Sequence, residues 1–217
     1  MVTEYHGRGN LSKTIDRLHV KFIAGSLCLD FVNTVGGRGV SGAAIRDKIA
    51  SYDDLLAWSV LAGSVDHRHA GALARLTARG VENAANILAR GIRLREALYR
   101  LFKSAMEGRR PGGTDFDVLR QELSIARAHQ RLTAQSGRFI WMLPAHSAAP
   151  DRILWPIALA AAALLTSSDL ARLGQCGGEN CGWLFLDTSR NHRRQWCDMR
   201  DCGNRAKVQR FRQKQRG

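Results

Sequence analysis

Four cysteines crowd into 27 residues near one end of a 217-residue chain, and they restrict what that end can fold into more than any other feature. The segment runs Cys176-GGEN-Cys181-GWLFLDTSRNHRRQW-Cys197-DMRD-Cys202, two pairs with four residues inside each and fifteen between them. Met1 to Val20 is polar and lacks the apolar run of a secretory leader, which places the chain in the cytoplasm, where thiols stay reduced. A disulfide framework is therefore disfavoured. Paired cysteines on two tight loops can instead deliver four thiolates in a tetrahedron, as a structural zinc ion requires. Gly177, Gly178 and Gly182 ease the first loop round an ion because glycine accepts positive φ. Zinc pairs more often enclose two residues than four, so a redox switch on the same thiols and four plain buried thiols are the competing readings. Iron–sulfur ligation uses tighter spacings. The expectation is one zinc ion per chain, held by Cys176, Cys181, Cys197 and Cys202. A segment this small has too little apolar surface for a core, so the metal supplies much of its folding free energy.

Charge concentrates at the same end. The chain carries a net +14, and from Arg190 onward ten Lys or Arg stand against two acids, Asp198 and Asp201, a net of +8. After Cys202 come six basic residues and no acid. Such an excess points to a polyanionic partner, most often nucleic acid. Gly203 and Asn204 open a helix from which Arg205, Lys207, Arg210, Arg212 and Lys214 project, while Val208 and Phe211, three apart, are expected to face the zinc module. Arg190, Arg193, Arg194 and Arg200 extend the basic surface into the preceding loop, with Trp183 and Trp196 nearby. Guanidinium groups can hold phosphates and read guanine edges. His192 is surplus to a complete tetrahedron and reads as a further phosphate contact. The surface alone does not separate DNA from RNA, although no aromatic motif of the common RNA modules is present.

Elsewhere helices dominate. Residues 1–19 read as a flexible arm. His19 to Val35 is strand-like, with Gly25-Ser26 as the turn of a hairpin. Ser51 with Asp54 forms a capping box for a helix through Leu61, and further helices are expected near 66–79, 81–107, from Thr114 onward, and over 151–173. Arg138 to Leu143 reads as a strand able to join the N-terminal hairpin. Cys28 stands among Leu27, Leu29 and Phe31 as a small buried hydrophobe. His67 and His69 are expected to face solvent, and the glycine-rich loop 36–42 lacks the ending of a phosphate-binding loop. No apolar stretch reaches the ~18 residues of a membrane span, which excludes a membrane partner of that kind. No nucleophile–base arrangement is evident, so the chain is read as a non-enzyme; an N-terminal active site assembled from distant residues is the weaker alternative.

The ending resembles the CGNR zinc finger, through Cys202-Gly203-Asn204-Arg205, the run Trp183 to Asp187, Ser189-Arg190-Asn191, Arg193-Arg194, Trp196-Cys197 and Met199. Leu29 to Thr34 (LDFVNT) is similar to the signature of the ABATE domain, which usually precedes this finger in bacterial proteins. The resemblance implies a bacterial transcription regulator, with an ABATE-like sensor over 20–173 for a small-molecule ligand or stress and a finger over 174–217 that binds double-stranded DNA. Ligand binding would alter the placement or pairing of the zinc modules, the latter in a homodimer. Asp30 and Asn33, which interrupt the apolar signature, either contact that ligand or hydrogen-bond the following turn. The fold class expected is α+β and mainly helical, with a helical N-terminal domain, a small antiparallel sheet and a small C-terminal zinc module. An RNA-binding zinc protein is the alternative function.

Overall fold

The computed structural model describes residues 7–38, 46–80, 83–144 and 147–215. It is mainly helical, and its described strands form three two-stranded antiparallel sheets. The first helix, α1 (Gly7–Arg17), lies on α3 (Tyr52–Leu61), burying Leu11, Thr14 and Leu18, while Arg17 donates to Asp54 at 2.7 Å. The part of the expected flexible arm that is described is thus a docked helix.

The run His19–Val35 is not a hairpin. Gly25 (φ +85°) turns the chain and α2 (Leu27–Val32) follows, with every residue after Leu27 buried. A helix enclosed on all sides has no polar stripe, so its apolar run imitates a strand. Cys28 is wholly buried within it, as expected. The capping box at Ser51 forms in both directions, Ser51 Oγ accepting from the Asp54 N–H at 3.1 Å and Asp54 Oδ2 accepting from the Ser51 N–H at 3.0 Å.

Asp66 caps α4 (His67–Ala78), and its second oxygen lies 2.9 Å from His69 Nδ1. His69 is therefore buried, contrary to the expectation, while His67 is exposed. The long α5 (Ala84–Met106) buries Ile87, Leu94, Leu98, Leu101 and Phe102 along one face. Gly91 lets it approach its neighbours, since a Cβ there would lie 3.1 Å from Leu55 and 3.2 Å from Leu154. Helix α6 (Gly113–Ala128) begins one residue before the expected Thr114, with Gly112 at its N-terminal cap position. The expected alanine-rich helix is divided into a 3-10 turn (Pro150–Leu154), α7 (Trp155–Leu165) and a second 3-10 turn (Ser168–Arg172).

Strands β1 (Val35–Gly36) and β2 (Arg46–Asp47) pair briefly. The expected strand β4 (Arg138–Met142) pairs with β3 (Arg131–Gln135), not with the N-terminal segment. Ser136 (φ 49°) and Gly137 (φ 75°) explain this, because two consecutive positive φ values make the tight turn that joins adjacent strands. Strand β5 (Leu173–Gln175), which spans the expected domain boundary, pairs with β6 (Leu184–Leu186). Leu184 and Leu186 belong to the same buried cluster as Leu29, Leu55, Leu98 and Ile157. The zinc module thus shares the main hydrophobic core.

Candidate metal centre and nucleic-acid interface

Two loops and a short helical turn bring the four cysteines together. Cys176 follows β5, Cys181 closes the first loop, Cys197 ends the long spacer, and Cys202 lies in a π-helical turn (Met199–Gly203) leading into α8 (Asn204–Lys214). All four are buried and their Sγ atoms lie within 4.8 Å of one another; Cys197 Sγ is 3.6 Å from both Cys181 Sγ and Cys202 Sγ. A tetrahedron with Zn–S bonds of about 2.3 Å sets its sulfurs about 3.8 Å apart. The donors and their spacing fit, and the centre holds one zinc ion.

The surroundings are shaped to the sulfurs. A Cβ on Gly178 would lie 3.2 Å from both Cys202 Sγ and the Cys181 Cβ. On Gly203 it would meet Met199 Sδ at 2.8 Å, so the glycine lets the turn close over that side chain. The Gly178 N–H and the Arg205 guanidinium donate to Cys176 Sγ and Cys202 Sγ at 3.5 and 3.3 Å. Without a cation, four sulfurs this close cannot all be anionic: hydrogen bonds from Cys181 and then Cys197 pull the Cys176 pKa down, and sharing those protons pushes Cys181 and Cys197 up. A bound dication removes that conflict by favouring thiolate at every position.

Asp30 and Asn33 fasten this module to the body. Asp30 Oδ1 accepts from the N–H groups of Ile23 and Ala24, both at 3.0 Å, holding the strand-like segment against which β6 lies. Burial is the largest influence on its carboxyl and pushes the pKa up, against those two bonds. Asn33 brackets Leu184, donating to its carbonyl at 2.8 Å and accepting from its N–H at 2.9 Å. The Leu186 N–H donates to Ala24 O at 2.8 Å, and Trp183 Nε1 donates to Val35 O at 3.0 Å. Of the two roles expected for Asp30 and Asn33, main-chain bonding is the one seen, though Asn33 bonds a strand 151 residues away rather than the local turn.

The basic residues divide into two groups. Arg194 is half-buried: its guanidinium lies 4.3 Å from the Phe185 ring centroid and donates to the carbonyls of Ile23, Leu186, Trp196 and Cys197. It therefore clamps the module together, a role its place among the basic residues did not disclose, and it lines the same groove as Arg190 and Arg193. Arg205 is partly engaged, reaching Asp201 at 2.9 Å as well as Cys202. Arg190, Arg193, Arg200, Asn204, Lys207, Arg210, Arg212 and Lys214 are exposed. Arg190, Arg193 and Arg200 rim an open groove of about 780 Å³ that Trp196 and Met199 also line. His192, exposed at φ 49°, has Nδ1 3.3 Å from the Asp187 carbonyl.

Helix α8 is rolled differently from the expectation. Gln209 donates to Glu179 at 2.7 Å, and Gln209, Ala206 and Gln213 line the cavity beside the first cysteine loop. Val208 and Phe211 therefore point away and are 50% and 62% exposed, among Lys207, Arg212 and Lys214. Lys21 was missed by the sequence reading; it bonds Asp198 at 2.8 Å and lies 3.5 Å from Asp201, so both acids of the basic tail are paired.

Two family models match the chain. ABATE, described as "Putative stress-induced transcription regulator", covers residues 25–168, and the CGNR zinc finger covers residues 172–215. A search of the curated proteins found no match.

Proposed function

The chain belongs to the ABATE family and carries a CGNR zinc finger, and we propose that it regulates transcription by binding duplex DNA through the zinc module and α8. The observation that carries this reading is the uncompensated positive surface. Asp198 and Asp201 are paired with Lys21 and Arg205, and among the described residues Arg190, Arg193, Arg200, Lys207, Arg210, Arg212 and Lys214 have no ion-pair partner. Arg190, Arg193 and Arg200 on one side and Lys207, Arg210, Arg212 and Lys214 on α8 contact phosphates, and one or two of them reach base edges.

The N-terminal body acts as the sensor. Because Asp30 orders Ile23 and Ala24 while Asn33 and Ala24 bond β6, a displacement of α2 by a bound small molecule would reach the zinc module through main-chain hydrogen bonds. No described helix is long and apolar enough to cross a membrane, and the site of action is the cytoplasm.

Selection of bound sequences from random duplex DNA, with an RNA competitor present, tests the function. A recovered consensus and a salt slope near −5, for about six phosphate contacts, support it. Equal retention on RNA, or binding unchanged after zinc is removed, overturns it.

A further inference from the structure

The β3–β4 hairpin is exposed at every position but Ile140. Leu132, Ala134, Phe139 and Trp141 share one of its faces, with Leu132 opposite Trp141 and Ala134 opposite Phe139. Leu132 is 59% exposed, Phe139 78% and Trp141 64%. At about 150–250 Å² per aromatic side chain, Phe139 and Trp141 alone leave roughly 200–350 Å² of apolar surface in water. An isolated two-stranded hairpin is marginal in water, and an apolar strand with a free edge is a template for another strand.

The main chain of β4 says which strand fits. The two-residue turn makes Gln135–Arg138 the closing hydrogen-bonded pair, so Arg138, Ile140 and Met142 direct their N–H and C=O groups towards β3. Those of Phe139 and Trp141 point outward. Two antiparallel copies of β4 related by a two-fold axis at Ile140 set Phe139 of each opposite Trp141 of the other. The outward groups then meet in about four hydrogen bonds. Arg138 falls opposite Met142, so no like charges face each other, and each aromatic ring gains a cross-strand aromatic partner on the same face. The strand is complementary to itself in this register; a shift by one residue would present inward-directed main-chain groups.

We propose that the outer edge of β4 is a self-pairing surface through which two copies of this chain form a symmetric dimer with a continuous four-stranded sheet. The surface is modest for a specific interface, which normally buries about 1,000 Å² or more in total, so the association is weak and concentration-dependent. It does not depend on the DNA-binding reading.

Sedimentation of the full zinc-loaded chain over a range of concentrations should show a monomer–dimer equilibrium, and Phe139→Lys or Trp141→Lys should leave monomer with zinc content and circular dichroism unchanged. The register has its own test. Across an antiparallel non-hydrogen-bonded pair the Cα atoms lie about 4.5 Å apart, within disulfide range. Ile140→Cys should therefore form a disulfide-linked dimer under glutathione oxidation, while Thr133→Cys on β3 and the unmodified chain should not. A chain monomeric at every concentration, dimers that survive both lysine variants, or cross-linking no faster at 140 than at 133 would each overturn the proposal.

Discussion

Replacing Asn33 with alanine removes both bonds to Leu184 and leaves a buried N–H and a buried carbonyl of β6 without partners. Each abandoned group costs about 1–3 kcal/mol, so the loss is roughly 2–5 kcal/mol once relaxation is allowed for. Stability of a domain of this kind is about 5–15 kcal/mol, of which this is a large share. At about 2–4 °C per kcal/mol for a chain of this size, the melting temperature should fall on the order of 5–15 °C. Asn33→Asp should be at least as damaging, because it turns the amide donor into a second acceptor facing the Leu184 carbonyl. The assay is thermal unfolding of the zinc-loaded chain followed by circular dichroism, with zinc content measured in parallel. A melting temperature within a degree of the parent protein for both variants would refute the reasoning and return Asn33 to the role of a ligand contact.

Serine at Cys197 or Cys202 should reduce zinc content well below one ion per chain and lower the melting temperature of the whole protein, because Leu184 and Leu186 lie in the main core; two separate melting transitions would contradict this. Arg194→Ala and Arg193→Ala should part company. The first should lose about 2–3 kcal/mol of stability by unpairing several carbonyls, whereas the second should melt normally and reduce the slope of log affinity against log salt by about 1. Gly174→Ala should destabilise by about 1–3 kcal/mol, since its Cβ would sit 2.8 Å from the Phe185 ring that Arg194 covers. Burial opposes the charge on Asp47, but hydrogen bonds from Arg95 outweigh it and hold the carboxyl below its usual range. The stability this gives is present above the ordinary aspartate pKa of about 4 and is lost as pH falls through the lower folded value. Arg95→Met should therefore flatten the acid limb of a denaturant-midpoint profile; an unchanged slope below pH ~4 would count against it.

What the sequence disclosed follows from how local each signal is. The cysteine pairs, the Ser51–Asp54 box and the apolar stripe of α5 are written within a few residues, and all three are present in the structure. Helix α2 escaped because its near-total burial erases the periodicity that marks a helix. Arg194 looked like its neighbours Arg190 and Arg193, since nothing in the spacing distinguishes an arginine that lies on Phe185 from one that faces water. The outward turn of Val208 and Phe211 depends on Gln209 meeting Glu179 thirty residues earlier, and the pairing of Lys21 with Asp198 spans 177 residues. Contacts of that separation leave no trace in local pattern.

The bracket at Asn33 also bears on how the protein is made. Its partner Leu184 is translated 151 residues later, an interval on the order of ten to thirty seconds at about 5–20 residues per second. Until then, Ala24, Asn33 and the core positions beside Leu29 lack the strand that completes them. The nascent body must wait with part of its apolar interior open, and it closes only when β6 arrives. The zinc site is complete only after Cys197 and Cys202 have followed, so metal starvation should show itself first as newly made chains held by chaperones or degraded, before any loss from the mature pool.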